Sequence, residues 1–143
     1  MWSRRAKRPL IDVVIDTNVF VSALTGGRIT SQIYTAILDA QLTVVLSLAL
    51  FDELLSTLAR PVFELSPDDI QRVATFLALS ARFVHPKESV TDCRDPKDNK
   101  LLECLLAAHP TCLVTGDRDL LVLHPYRSIP IVTPRAFITR YLR

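Results

Sequence analysis

The sequence predicts an α/β fold of three layers, α/β/α, with a parallel sheet at its centre. Short apolar runs that suit buried strands alternate with segments of helical periodicity, and this alternation is typical of parallel sheets covered on both faces. The chain has 143 residues, of which 49% are hydrophobic and 22% charged. These values suit a single globular domain with a real core. No apolar run approaches the roughly 20 residues that span a bilayer.

The first half of the predicted sheet follows from local patterns. The apolar run Ile11–Ile15 predicts the first strand, and Gly26-Gly27 interrupts the chain after it. Residues 43–47 are rich in β-branched side chains and predict the second strand. Between them, apolar residues recur at helical spacing: Ile33, Ala36, Ile37 and Ala40.

Capping residues and prolines mark two helices in the middle of the chain. Ser47 is expected to cap a helix that runs to Arg60 and stops at Pro61. Ser66-Pro67 is a strong helix start, with acids in the first turn. Its expected buried face consists of apolar residues at helical spacing: Ile70, Val73, Leu77 and Ala81.

The last third of the chain repeats the alternation. Asp95-Pro96 is expected to open a helix that continues through Ala108. Residues 111–115 predict a third strand, residues 129–132 a fourth, and Thr133-Pro134 the start of a terminal helix.

Charge and cysteine content narrow the class of protein. The net charge is only +2, but residues 1–10 form a basic arm ahead of a single domain at residues 11–143. We interpret the arm as solvated, with contacts to phosphates as the alternative. The three cysteines show no paired spacing, and the pattern of a signal peptide is missing. The sequence therefore predicts a cytoplasmic protein without a disulfide framework or membrane anchor.

Two acids follow predicted strands directly. Asp16 comes after the first strand and Asp117 after the third. Each could simply cap a turn. Because ligands of parallel sheets bind beyond the carboxyl ends of the strands, the pair together predicts a shared crevice.

Two further acids lie on predicted helices. At 100° per residue, Glu53 falls on the border of an apolar face, whereas Asp52 points to solvent. Asp98 falls within a leucine face, where an unpartnered acid costs several kcal/mol. Lys100 and Glu103 are expected to point away from that face.

Helix capping is the alternative for some of these acids. Asp95 and Asp98 fit the N-cap and N3 positions of one helix. We interpret Asp95 as the cap and place Asp98 in the site. For Asp119, assistance to the site and capping of the following turn both stay open.

Converging carboxylates favour a particular chemistry. They repel one another unless a cation joins them. Oxygen-only ligands suit Mg²⁺ or Mn²⁺ better than zinc or copper. Such ions activate water and stabilise phosphoryl displacement, so the site would need no Ser, Cys or His nucleophile.

Four motifs, in order along nearly the whole chain, resemble the PIN-domain family. They are similar to its bacterial and archaeal branch, whose members are described as toxins of toxin–antitoxin systems. The motifs occupy residues 14–22, 52–55, 94–99 and 114–121.

The resemblance implies a site, a cofactor and partners. The four acids of the family map onto Asp16, Glu53, Asp98 and Asp117, and Asn18, Ser47 and Thr115 match supporting positions. It implies a hydrolase that cuts RNA with Mg²⁺ or Mn²⁺, an antitoxin protein as partner, and homodimers.

Other functions fit less well. A phosphatase of the haloacid dehalogenase type needs a second Asp where this chain has Asn18. A Rossmann dinucleotide binder needs Gly-x-Gly-x-x-Gly after the first strand, and the chain has none there. The alternative that stays open is a PIN-like module that binds RNA or protein without cutting.

Overall fold

The structure is a computed structural model that describes residues 11–142. Its five strands are β1 (Ile11–Ile15), β2 (Leu42–Leu46), β3 (Arg82–Phe83), β4 (Cys112–Val114) and β5 (Ile131–Val132). Its seven α-helices are α1 (Thr17–Leu24), α2 (Ser31–Leu38), α3 (Leu48–Leu58), α4 (Pro67–Ser80), α5 (Asn99–Ala108), α6 (Arg118–Leu121) and α7 (Pro134–Tyr141). The predicted basic arm and Arg143 lie outside the described residues.

The strands form one parallel sheet in the order β3-β2-β1-β4-β5. From β1 the chain builds outward through β2 and β3, then returns to place β4 on the other side of β1. The junction of β1 and β4 is therefore the switch point of the sheet, where open α/β folds bind ligands. This architecture confirms the predicted α/β class with a central parallel sheet.

The sheet is buried because its central strands are apolar on both faces. Val13, Val14, Leu113 and Val114 are all 0% exposed. Continuous apolar runs of this kind are typical of parallel strands covered by helices on both sides. The central strands thereby fix the positions of the residues that follow them.

The predicted helix caps are confirmed. The Ser47 hydroxyl accepts a 3.2 Å hydrogen bond from the Leu50 N–H at the start of α3. Ser66 and Asp69 form a reciprocal capping box at the start of α4. Thr133 caps α7 by accepting from the Ala136 N–H.

Several expected boundaries were wrong. Helix α3 ends at Leu58, and a 3₁₀ turn, Pro96–Asp98, precedes α5. Within α4 only Leu77 is fully buried, and Ala81 lies beyond the end of the helix. Three elements were missed, namely α1, α6 and β3. Helix α6 has four residues and β3 has two, which is too few to display a hydrophobic period. The apolar side chains of α1 follow β1 almost without a break, so the start of this helix is not visible in the sequence.

None of the helices within residues 11–142 has the length and apolar character that crossing a membrane requires.

Candidate metal centre

The candidate site lies at the carboxyl edge of the sheet, at the switch point. The Asp16 N–H donates a 2.9 Å hydrogen bond to the carbonyl of Val114, which holds the end of β1 against the end of β4. Asp117 follows β4 after Thr115 and Gly116. The two acids expected to share a crevice therefore follow adjacent strands of the sheet.

Asp16 is the most enclosed acid of the site. It is 7% exposed, and its carboxylate accepts a 2.6 Å hydrogen bond from the Thr115 hydroxyl. Burial raises the pKa of Asp16, the bonds from Thr115 and the Asn18 N–H oppose this, and the charges of Asp117 and Glu53 add to the rise. The hydrogen bonds to Asp16 thus offset only part of the free-energy cost of burying its carboxylate.

Asp98 faces Asp117 from the 3₁₀ turn before α5. Burial raises the pKa of Asp98 to about 7, with further contributions from a hydrogen bond with the Asp117 carboxyl group and from the Asp16 charge. Its side chain makes no capping bond to α5. Asp95 caps the 3₁₀ turn before α5, because its carboxylate accepts a 3.1 Å bond from the Lys97 N–H. Asp95 is therefore a cap, as expected, whereas the role of Asp98 in a metal site stays a prediction.

Glu53 approaches from α3 and is held by two donors. Oε2 accepts a 2.5 Å hydrogen bond from the Thr17 hydroxyl, and Oε1 forms an ion pair with Lys100. Burial acts to raise the pKa of Glu53, but the bonds from Lys100 and Thr17 outweigh it and lower the pKa. Lys100 was expected to point away from the leucine face of its helix, and its ammonium group reaches Glu53 on α3. A long lysine side chain can carry its ammonium group to a neighbouring helix even when its Cα lies on another face of its own helix.

Asp117 belongs both to the site and to the start of α6. Its Oδ1 accepts a 2.9 Å hydrogen bond from the Asp119 N–H, which caps α6. Its own N–H donates to the Thr115 hydroxyl at 3.0 Å. The Asp119 carboxylate lies 4.0 Å from Arg94, and its assistance to the site stays a prediction.

An open cleft adjoins Asp16 and Asp117. Its volume is about 450 Å³, and its walls also carry Asn18, Ser22 and Thr30. Asp16 and Asp117 therefore border an open cavity that solvent or a ligand can enter.

The acids suit a hard divalent cation by their chemistry. Asp16, Asp98 and Asp117 bring carboxylate oxygens from three separate elements into mutual electrostatic contact. Oxygen-only donors of this kind match Mg²⁺ or Mn²⁺. Within residues 11–142, no three His, Cys, Asp or Glu side chains already stand at metal-binding spacing. The ion pair of Glu53 with Lys100 relieves part of the repulsion that would otherwise act between these carboxylates.

The three residues predicted to support the site lie at different distances from its acids. Thr115 bonds Asp16 directly, the backbone of Asn18 does the same, and Ser47 acts through the cap of the helix that carries Glu53. Sequence reasoning missed Thr17 and Lys100. Thr17 is 7% exposed and directly follows the first acid, and a hydroxyl at the end of a buried strand was the signal that could have found it.

Comparisons with known proteins agree with this geometry. The sequence profile of the family described as "PIN domain" matches residues 12–119. The chain is also similar to "Uncharacterized protein MJ1680" of Methanocaldococcus jannaschii, with 27% identity over 144 residues that cover 92% of each chain. The matched range contains all four predicted acids.

Proposed function

This chain belongs to the PIN-domain family, and from that premise we propose that it is an endoribonuclease that uses Mg²⁺ or Mn²⁺. The family has a nuclease-type fold. The proposed reaction is hydrolysis of RNA phosphodiester bonds.

One observation carries the proposal. Asp16, Asp98 and Asp117 meet at the switch point of the sheet beside the cleft, and Glu53 completes the set from α3. Surface acids separated by more than about 8–10 Å are screened by salt and do not perturb one another in this way. Placing carboxylates close together costs free energy, and a bound cation that takes part in a reaction would offset their repulsion.

The proposed roles follow from the contacts. When bound, a divalent ion lowers the pKa of its water and neutralises charge on a phosphate. Asp16, held by Thr115, would supply one oxygen ligand, and Asp98 and Asp117 would supply others. Glu53 would stand beside them, held by its bonds to Thr17 and Lys100.

The biological setting is also a proposal. The motifs are similar to toxins of toxin–antitoxin systems, so we propose an antitoxin protein as partner and a second copy of the chain as a dimer partner. The cytoplasm is the proposed location.

The test is cleavage of a pool of RNAs with Mg²⁺, with Mn²⁺ or with EDTA, followed by sequencing of the new ends. Asp16→Asn and Asp117→Asn should lower the rate by about 100-fold or more, since even the outer partners of metal ligands contribute about 10–100-fold. Asp52→Asn is the matched control, because Asp52 is an exposed acid beside Glu53.

Two outcomes would contradict the proposal. Cleavage by wild type in EDTA would exclude the metal, and full activity of Asp16→Asn would exclude the site. RNA binding that persists without any cleavage would support the module that binds without cutting.

A further inference from the structure

Glu53 differs from the other three acids in its contacts. Each of its carboxylate oxygens already has a donor, Thr17 from α1 on one side and Lys100 from α5 on the other. The Glu53 and Lys100 side chains are each 33% exposed, so the pair is partly shielded from solvent. Shielding of this kind strengthens the attraction between two opposite charges.

Among residues 11–142, the other three acids have no such counter-charge. Within residues 11–142, no Lys or Arg forms an ion pair with Asp16, Asp98 or Asp117. Their neighbours are hydroxyl groups, N–H groups and one another. The pKa directions agree with this division, since burial raises the pKa of Asp16, whereas Lys100 and Thr17 lower that of Glu53 against the effect of burial.

We propose that Lys100 is a built-in cation that neutralises Glu53, so that the site binds one divalent ion, at Asp16, Asp98 and Asp117, instead of two. Lys100 is in this sense a positioning residue. The inference rests on the proposed function, because it concerns how many ions the nuclease site takes.

Charge balance is the physical reason. In sites with two metals the ions lie about 3.5–4 Å apart and share the surrounding carboxylates. A second ion at Glu53 would compete with the Lys100 ammonium for the same oxygen and would repel it at close range. One divalent ion together with Lys100 distributes positive charge over all four acids without that conflict.

The experiment counts bound Mn²⁺ on the whole chain, by calorimetry and by electron paramagnetic resonance of the free ion. Wild type should bind one ion. Lys100→Met should bind two ions, because Glu53 then lacks its counter-charge. Lys100→Arg keeps the positive charge and should bind one ion. Lys97→Met is the matched control: Lys97 acts on Glu53 through its charge alone, without the contact, and its removal should leave the count at one.

A double variant covers the case in which Lys100→Met does not fold. Glu53→Gln with Lys100→Met removes both charges together and should bind one ion with a Kd within about threefold of wild type. Loss of a direct metal ligand would raise the Kd by more than threefold, since even outer-sphere partners contribute about 10–100-fold to affinity.

The outcomes separate this inference from the proposed function. Two ions on wild type, one ion on Lys100→Met, or a tenfold rise in Kd for the double variant would overturn the role of Lys100 and leave the metal-dependent nuclease intact. Failure of wild type to bind Mn²⁺ at all would overturn both.

Discussion

The hydroxyl of Thr115 donates a 2.6 Å hydrogen bond to Oδ2 of Asp16. The bond exists because β1 and β4 are parallel neighbours with Ile15 opposite Val114, which brings the next residue of each strand together at the carboxyl edge. The same hydroxyl accepts a bond from the Asp117 N–H. One side chain with 0% exposure therefore connects two acids of the candidate metal centre.

Thr115→Val should weaken the site while keeping the shape of the side chain. Loss of a partner that orients a metal ligand typically costs about 10–100-fold in metal affinity or activity. The partly buried N–H of Asp117 also loses its acceptor, which should lower the free energy of unfolding by about 1 kcal/mol. Mn²⁺ titration and denaturant unfolding measure the two effects separately.

Thr43→Val is the control for that substitution. Thr43 lies half-buried on β2, away from the acids, so the same change should leave Mn²⁺ affinity unchanged. Equal Mn²⁺ affinity of Thr115→Val and wild type would show that Thr115 does not orient Asp16 for a metal.

Asp98 should make the stability of the fold depend on pH. Its pKa is raised to about 7, chiefly by burial, whereas an unfolded Asp titrates near pH 4. Between these values the folded state keeps a proton that the unfolded state has released, so this stabilising contribution is present at low pH and is lost as pH rises through about 7. Asp98→Asn cannot titrate, and in EDTA its Tm relative to wild type should therefore rise from pH 4 to pH 8.

At pH 8 we expect Asp98→Asn to have the higher Tm in EDTA and wild type to have the higher Tm in Mn²⁺. A ligand that binds only the folded state stabilises it by RT ln(1 + [L]/Kd), and the variant has lost one ligand group. Thermal melting of both proteins, with EDTA and with Mn²⁺ at each pH, measures this. If the difference in Tm stays the same under all four conditions, Asp98 has no place in the site.

Two glycines near the cleft should respond differently to Ala. A Cβ at Gly27 would lie 2.2 Å from the hydroxyls of Ser22 and Thr30 and 2.9 Å from the Ser22 carbonyl, while one at Gly116 would meet nothing within 4 Å. We expect Gly27→Ala to destabilise the fold by about 1–3 kcal/mol, because overpacking forces neighbours to move. Gly116→Ala should melt like wild type, and chemical denaturation of both variants tests the contrast. Equal stability of the two variants would mean that the loop before α2 adapts freely.

The basic arm is tested through the salt dependence of RNA binding. Replacing Arg4, Arg5, Lys7 and Arg8 with Ala should leave the slope of log K against log salt unchanged if the arm is solvated, as we expect. If these side chains instead bind phosphates of single-stranded RNA, the slope should fall by about 0.7 for each phosphate that the variant no longer neutralises. Binding measured at several salt concentrations decides between the two.

Patterns within the sequence were enough to predict the fold class and the residues at the ends of the central strands. Apolar runs such as residues 11–15 report burial on both faces, and a capping residue such as Ser66 marks a helix start through interactions within a few residues. Asp16 and Asp117 could be placed in one crevice because parallel strands carry their carboxyl ends to the same edge. These are local or topological constraints, and a sequence displays them directly.

The contacts between side chains of different helices and strands could be learned only from the three-dimensional fold. The pairing of Glu53 with Lys100 joins residues from α3 and α5, and the bond from Thr17 to Glu53 joins residues 36 positions apart. Strand β3 has two residues and depends on its pairing with β2. Such features follow from how helices pack on the sheet and from the reach of long side chains, which no spacing along the chain encodes.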